Sequence, residues 1–436
     1  MILAYKPGRV WPLLQVRMVR VKDFAGVKYY PTVKLKFLTG RKGKMGVIQE
    51  IDRHLEKMVI DIGPRPTGSK NNRKAYNYIG REMAGYGFAV EKQEFDCIDW
   101  FPGGASFLME GREIRLKEAD YTLPCNLGGK LHCIENIEQL RKSDIQGELV
   151  FLFGELTREP LMPKKFPFYN PPEHKRIIAL LEEKNPGAIL FASCSKESLV
   201  PLIEDGDFNI PCAVVPVKEQ EYLLGNKNSP VRLVIKSSRK PARAANIISR
   251  GWGEKPRIAV SAHLDTKPFT PGALDNAVGV AAILVLGKLL GPGRLKNQLE
   301  LIAFNGEDYF SNAGEVVFSE KSLSEPGDYL LGVNIDGIGY LEGQTGFSFF
   351  ELCEEKRSRI RKITKKIPGI CEIAPWPQGD HMVFVGCGIP AVAITSTQVF
   401  GILESVIHTP EDRLEIVDRK KIAECVAFLV EWLTDL

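Results

Sequence analysis

Five short stretches carry the side chains that could do chemistry: His263-Leu264-Asp265, Asp275-Asn276, Asn305-Gly306-Glu307-Asp308, Asp336-Gly337 and His408-Thr409-Pro410-Glu411-Asp412. Alone, each has an ordinary role, since an aspartate before an apolar helix caps it and an aspartate before glycine opens a turn. Together they repeat one combination, imidazole with carboxylate, which is a ligand set for zinc. A hydrolytic pair of zinc ions needs an imidazole and a carboxylate on each metal, plus one carboxylate that spans both. Two histidines, His263 and His408, and three aspartates, Asp275, Asp308 and Asp336, meet that requirement and predict two Zn2+ per chain. Glu307 is then left over to take the proton of the attacking water and hand it to the leaving amine. Asp265, two residues beyond His263, is suited to accept the second imidazole N–H and fix its tautomer.

These stretches need a frame that brings them together. Strands are predicted at 257–262, 298–304, 330–335 and 391–395, with an Ala/Val/Leu-rich helix over 276–290 and a closing helix over 419–433. Alternating strands and helices imply an α/β fold with a mixed, mainly parallel sheet flanked by helices on both faces. In such a sheet ligands bind beyond the carboxyl ends of the strands, and four of the five stretches follow a predicted strand. Ahead of this lies helix, turn, helix, strand over 45–95, with the turn at Gly63-Pro64-Arg65-Pro66-Thr67-Gly68-Ser69. Between them the texture changes to short β-rich runs (149–153, 188–191, 213–217, 231–235) and one helix near 174–184, which reads as an insertion. The expected organisation is a basic N-terminal extension over 1–44, the first part of the main domain over 45–110, a β-rich insertion over 111–240 and the remainder over 241–436.

Composition agrees with a globular chain: 44% of the 436 residues are hydrophobic and 26% charged, with no biased tract. The net charge of +4 is uneven. Residues 1–44 carry eleven Lys and Arg against Asp23, a balance of +10 that leaves −6 for the rest. The basic residues are not clustered and match no nucleic-acid motif, so no nucleic-acid partner is expected and the segment reads as a solvated extension, or as sequence ahead of a true start at Met45. No run approaches 18 consecutive apolar residues, and the start lacks a signal-peptide pattern, so neither a membrane partner nor export is expected. The nine cysteines form no C-x-x-C pair and suggest buried free thiols in a cytoplasmic protein.

Over most of 46–436 the chain resembles the co-catalytic zinc aminopeptidases of the group that includes glutamate carboxypeptidase and the transferrin receptor. The resemblance rests on Gly63 to Ser69, Ala262-His263-Leu264-Asp265, Pro271 to Asn276, Phe304 to Asp308, Asn334-Ile335-Asp336, Gly379-Asp380-His381, Gly388-Ile389-Pro390-Ala391 and His408 to Asp412, all in order. It implies the zinc-dependent exopeptidase fold, with His263, Asp275 and Asp336 on one zinc and Asp275, Asp308 and His408 on the other. It also implies Glu307 as general base and acid, peptides as substrates, and a protease-associated domain as the insertion. Two departures stand out. Asp308 occupies a position where the family more usually has glutamate, and Ile407 one where several members have an oxyanion-supporting tyrosine, which leaves that role to His381 or to zinc alone.

An aminopeptidase is the reading these features favour. Carboxypeptidase or dipeptidase action would need a cation for the substrate carboxylate. Glutaminyl cyclase shares the fold with a single zinc, and the presence of both His263 and Asp336 speaks against it. A receptor-like protein without catalysis would not need every ligand position filled.

Overall fold

The computed structural model describes residues 41–166, 170–195, 199–227, 229–309 and 313–436. The basic segment 1–40 and the reading made for it lie outside these residues. The first helix, α1 (Arg41–Leu55), begins before the expected boundary at 45 and buries Val47, Ile51 and Leu55 at helical spacing.

A mixed sheet of eight strands organises the protein. In chain order these are β1 (Ala89–Phe101), β2 (Ser238–Arg250), β3 (Glu254–His263), β4 (Asn297–Phe304), β5 (Tyr329–Ile335), β6 (Thr345–Phe350), β7 (Ile370–Glu372) and β8 (Ala391–Ser396). Their spatial order is β1-β2-β4-β3-β5-β8-β6-β7. The four central strands, β4, β3, β5 and β8, run parallel and are the four that the sequence predicts. Their interiors are continuous apolar runs such as Ile258-Ala259-Val260, as expected for strands covered on both faces. The flanking pairings β1/β2, β2/β4 and β8/β6 are antiparallel.

Helices cover both faces. On one side lie α1, α2 (Lys70–Gly85), α3 (Val278–Leu290) and the C-terminal α5 (Arg419–Thr434). On the other, Phe318 of α4 (Ala313–Ser322) and Phe384 of the short helix His381–Gly386 pack with Phe304. The α3 helix is apolar on every face up to its last turn, where Lys288 is exposed, because it is enclosed over that length. The span Ala273–Leu290 is long and apolar enough to cross a membrane, yet 89% of it is buried inside the protein, as a core helix must be. Gly279 permits this, since a Cβ there would lie 2.5 Å from the carbonyl oxygen of Ile335.

The insertion leaves the sheet at the end of β1 and returns at the start of β2, whose register runs from Ala89 opposite Arg250 to Phe101 opposite Ser238. It therefore spans 102–237, starting before the expected residue 111. It contains a four-stranded antiparallel sheet and a five-stranded, mainly parallel one, with one apolar cluster between the two sheets and another against the five-stranded sheet. All nine cysteines are free thiols.

Candidate metal centre

The loops beyond the carboxyl ends of the parallel strands converge. His263 is the last residue of β3, Glu307 and Asp308 follow β4, Asp336 follows β5, and His408 follows the helix Val399–Ser405 beyond β8. Asp275 stands in the turn before α3, where neither it (φ −118°, ψ 88°) nor Asn276 is helical. Asn276 caps α3 by accepting the N–H of Gly279 at 2.9 Å, and donates to the Ile335 carbonyl at 2.8 Å. The helix start is thereby tied to the strand end that carries Asp336.

Asp275 is the hinge of the cluster. Its Oδ1 lies 2.9 Å from His263 Nε2 and its Oδ2 lies 3.1 Å from His408 Nε2. Asp336 Oδ1 is 3.5 Å from His263 Nε2, and Asp308 Oδ1 is 2.9 Å from His408 Nε2. Two triplets result, His263/Asp275/Asp336 and Asp275/Asp308/His408, each with its ligand atoms within 4.8 Å of one another. Despite these short approaches, neither ring nitrogen of His263 and neither carboxylate oxygen of Asp308 makes a hydrogen bond among the described residues. Buried polar atoms left so cost free energy unless another partner is expected, and lone pairs converging on a common point fit a cation. The residues present therefore fit the two-metal ligand set.

The electrostatics are those of a site built for positive charge. Burial opposes protonation of His263, but Asp336, Asp265 and Asp275 together push its pKa well above the usual histidine range. His408, partly exposed, is raised likewise by Asp308 and Asp275. The Asp275 carboxyl is held well below its ordinary value, with the adjoining imidazoles of His263 and His408 overcoming burial. Glu307 goes the other way: burial, then the charges of Asp308, Asp336 and Asp275, push it well up, against the pull of His263. A bound cation displaces such protons from ligands.

Around the ligands is a layer that the sequence reading did not assign. Arg65, fully buried, donates to three carbonyls of the loop joining His263 to Asp275: Leu264 at 2.7 Å, Pro271 at 2.9 Å and Gly272 at 2.8 Å. Gly272 adopts φ +63°, and a Cβ there would lie 2.2 Å from Thr266 Cγ2, so only glycine fits beneath the Arg65 fork. Asp412 accepts the backbone N–H groups of Leu274 at 2.6 Å and Asp275 at 3.1 Å; burial and the Asp275 charge raise its pKa to about 7. A signal for both existed, since they stand in quoted motifs, but neither spacing nor residue type said which carbonyl or amide they would reach.

Two expected roles take a different form. Asp265 lies 3.7 Å from His263 Nδ1, outside hydrogen-bond distance, and its oxygens accept instead from the N–H of Gly306 (2.9 Å), the N–H of Asp308 (3.1 Å) and Thr67 Oγ1 (3.0 Å). It folds the Glu307–Asp308 loop. His381 sits between Phe350 and Trp376, with Nε2 2.9 Å from the Trp376 carbonyl; burial lowers its pKa to about 4. A neutral ring whose single proton faces that carbonyl has none to offer an oxyanion from Nδ1.

Known proteins match this architecture. Residues 246–433 match the model of Peptidase family M28. The chain is 23% identical over 387 residues to Aminopeptidase YwaD of Bacillus subtilis, covering 83% of this chain and 79% of that one. It is 25% identical over 311 residues to a probable leucine aminopeptidase of Arthroderma benhamiae, covering 65% of this chain and 84% of the other. Among solved structures, an aminopeptidase from Aneurinibacillus sp. strain AM-1 superposes with a TM-score of 0.71 at 17% identity, covering 89% of this chain and 92% of that one. A zinc aminopeptidase from Bacillus subtilis gives 0.66 at 19%, covering 89% and 94%. Residues 246–433 thus resemble a peptidase family M28 domain, and the chain shares its fold with the solved zinc aminopeptidase structures.

Proposed function

We propose that the protein is a two-zinc aminopeptidase that releases the N-terminal residue of peptides. The observation that carries the reading is Asp275, whose two oxygens each approach a different histidine. A single-metal site has no use for that arrangement. In this reading His263, Asp275 and Asp336 hold one zinc and Asp275, Asp308 and His408 the other, and zinc so held supplies Lewis acidity to the attacking water and the scissile carbonyl.

The chain's own contribution is proton transfer and orientation. Glu307, whose proton affinity burial raises, accepts the proton of the attacking water and returns it to the leaving amine. Asp265 holds the loop that presents Glu307, through the N–H groups on either side of it. Arg65 and Asp412 hold the loop that presents Asp275.

Charge favours an ammonium over a carboxylate as the group that substrate brings. Besides the ligands, Asp412 and the insertion residues Asp120 and Glu204 stand close enough to act electrostatically on the site. The two buried cations here are engaged, Arg65 by three carbonyls and Lys267 by Glu204 at 2.7 Å. A substrate carboxylate would meet an excess of its own charge. The insertion is read as a protease-associated-like domain that borders the site. A panel of aminoacyl amides and of peptides blocked at either end tests the reading: hydrolysis is expected to need a free N-terminus and to tolerate an amidated C-terminus. The reverse pattern would establish carboxypeptidase action.

A further inference from the structure

The inserted domain reaches the candidate metal centre through the backbone of a ligand. Tyr121, in the loop between the two inserted sheets and 1% exposed, donates from Oη to the main-chain carbonyl of Asp308 at 3.1 Å. Its ring meets that of the next residue, Tyr309, edge-on at 4.9 Å, and Trp100 lies at 5.9 Å on its other side. Tyr309 is held in turn by the N–H of Ile98, which donates to its Oη at 3.0 Å, and by Gly206 of the insertion, where a Cβ would come within 2.8 Å of that oxygen.

The Tyr121 loop is itself clamped. Arg239 donates from Nε to the Tyr121 carbonyl at 2.5 Å, and its other nitrogens reach the carbonyls of Gly206 (3.0 Å) and Phe208 (2.7 Å). Tyr121 adopts φ +64°, a left-handed conformation that a non-glycine residue seldom takes. Such strain persists where the surroundings over-determine it. The strained residue is the one that reaches across to Asp308.

Asp308 has a short side chain, so its carboxylate position follows its backbone closely. That backbone is fixed on both sides: the N–H donates to Asp265, and the carbonyl accepts from Tyr121. We infer that Tyr121 is a positioning residue for the second metal, making the insertion a structural part of that metal site as well as a cover for it. This rests on the two-zinc reading above.

Zinc titration of the metal-free full-length protein against a competing chelator tests it. Wild type is expected to bind two ions in separable steps; a wild type that binds one overturns the two-zinc reading whatever Tyr121 does. With two steps established, Tyr121→Phe, which keeps the ring, is expected to weaken the second step about tenfold or more and leave the first unchanged. An unchanged second step, or equal weakening of both, overturns the role. Tyr309→Phe loosens the same aromatic cluster without touching the Asp308 carbonyl and is expected to spare both steps; a matching loss of the second step would assign the effect to packing and overturn the role. Should Tyr121→Phe fail to fold, 3-fluorotyrosine at position 121 keeps both ring and hydroxyl. Its fluorine resonance is expected to move with the second equivalent of zinc, and movement with the first alone, or none, overturns the role.

Discussion

The carboxylate of Asp412 accepts the backbone N–H of Asp275 at 3.1 Å, so the last stretch of the candidate site holds the residue at its centre. The same carboxylate accepts the N–H of Leu274 at 2.6 Å, and both contacts are buried. Asp412→Ala would leave two buried amides without an acceptor. The expected loss is about 2–4 kcal/mol of stability, taking about 1–2 kcal/mol for each orphaned donor. Denaturant midpoints of the metal-free protein measure it, and a change within 0.5 kcal/mol, roughly the range of an inconsequential surface substitution, would contradict the assignment.

Glu307→Gln removes the proton acceptor and keeps the shape. Turnover is expected to fall at least about 10²–10⁴-fold, with zinc content unaltered. Elemental analysis beside steady-state kinetics separates the two effects, and unaltered turnover would refute the role.

Arg65→Lys keeps a charge and loses the planar fork that spans three carbonyls. The loop joining His263 to Asp275 is expected to slacken, with kcat/KM down about tenfold or more and, on the proposed two-zinc reading in which Asp275 serves both ions, weaker binding of each. Chelator competition and kinetics on one preparation check this; an effect confined to one zinc would show that the clamp acts elsewhere.

A separate prediction concerns pH. His54 is fully buried beneath Tyr78, with Nδ1 2.6 Å from its hydroxyl, and burial aided by the Arg53 charge lowers its pKa to about 4 from the usual 6.5. The folded protein therefore keeps it neutral while the unfolded chain takes up a proton below 6.5. The stability that follows is complete above pH 6.5 and is lost progressively as pH falls towards 4, on the order of 3 kcal/mol for that shift. Thermal midpoints from pH 7 to 5 in wild type and in His54→Gln measure it. The decline should be shallower in the variant, and equal slopes would place the effect on other groups.

The central four strands were legible because apolar runs bounded by polar turns are what a sheet buried on both faces requires, and α3 was legible for the same reason. Ser238–Arg250 was not, since its first half (Ser-Arg-Lys-Pro-Ala-Arg) is largely polar and pairs only with Ala89–Phe101. The site divides the same way. Residue type and position, after a strand or, for Asp275, before the apolar helix, pointed to His263, Asp275, Glu307, Asp308, Asp336 and His408, which the fold brings together, because metal chemistry restricts the types. The backbone supports by Arg65, Asp412 and Tyr121 were hidden, because a hydrogen bond to a carbonyl or an amide restricts neither partner's sequence. His381 shows the opposite failure, a suggestive residue whose proton the fold commits elsewhere.

The Arg65 fork has a consequence for how the molecule comes into being. It lies ahead of the insertion, while the loop that it grips lies beyond it, and Asp412, which grips that loop from the other side, comes more than a hundred residues later still. As the chain emerges from the ribosome in order, no product that stops short of residue 412 contains the full set of contacts. The centre closes only once residue 412 has emerged, so a shorter nascent chain carries the ligands without the means to hold them in register.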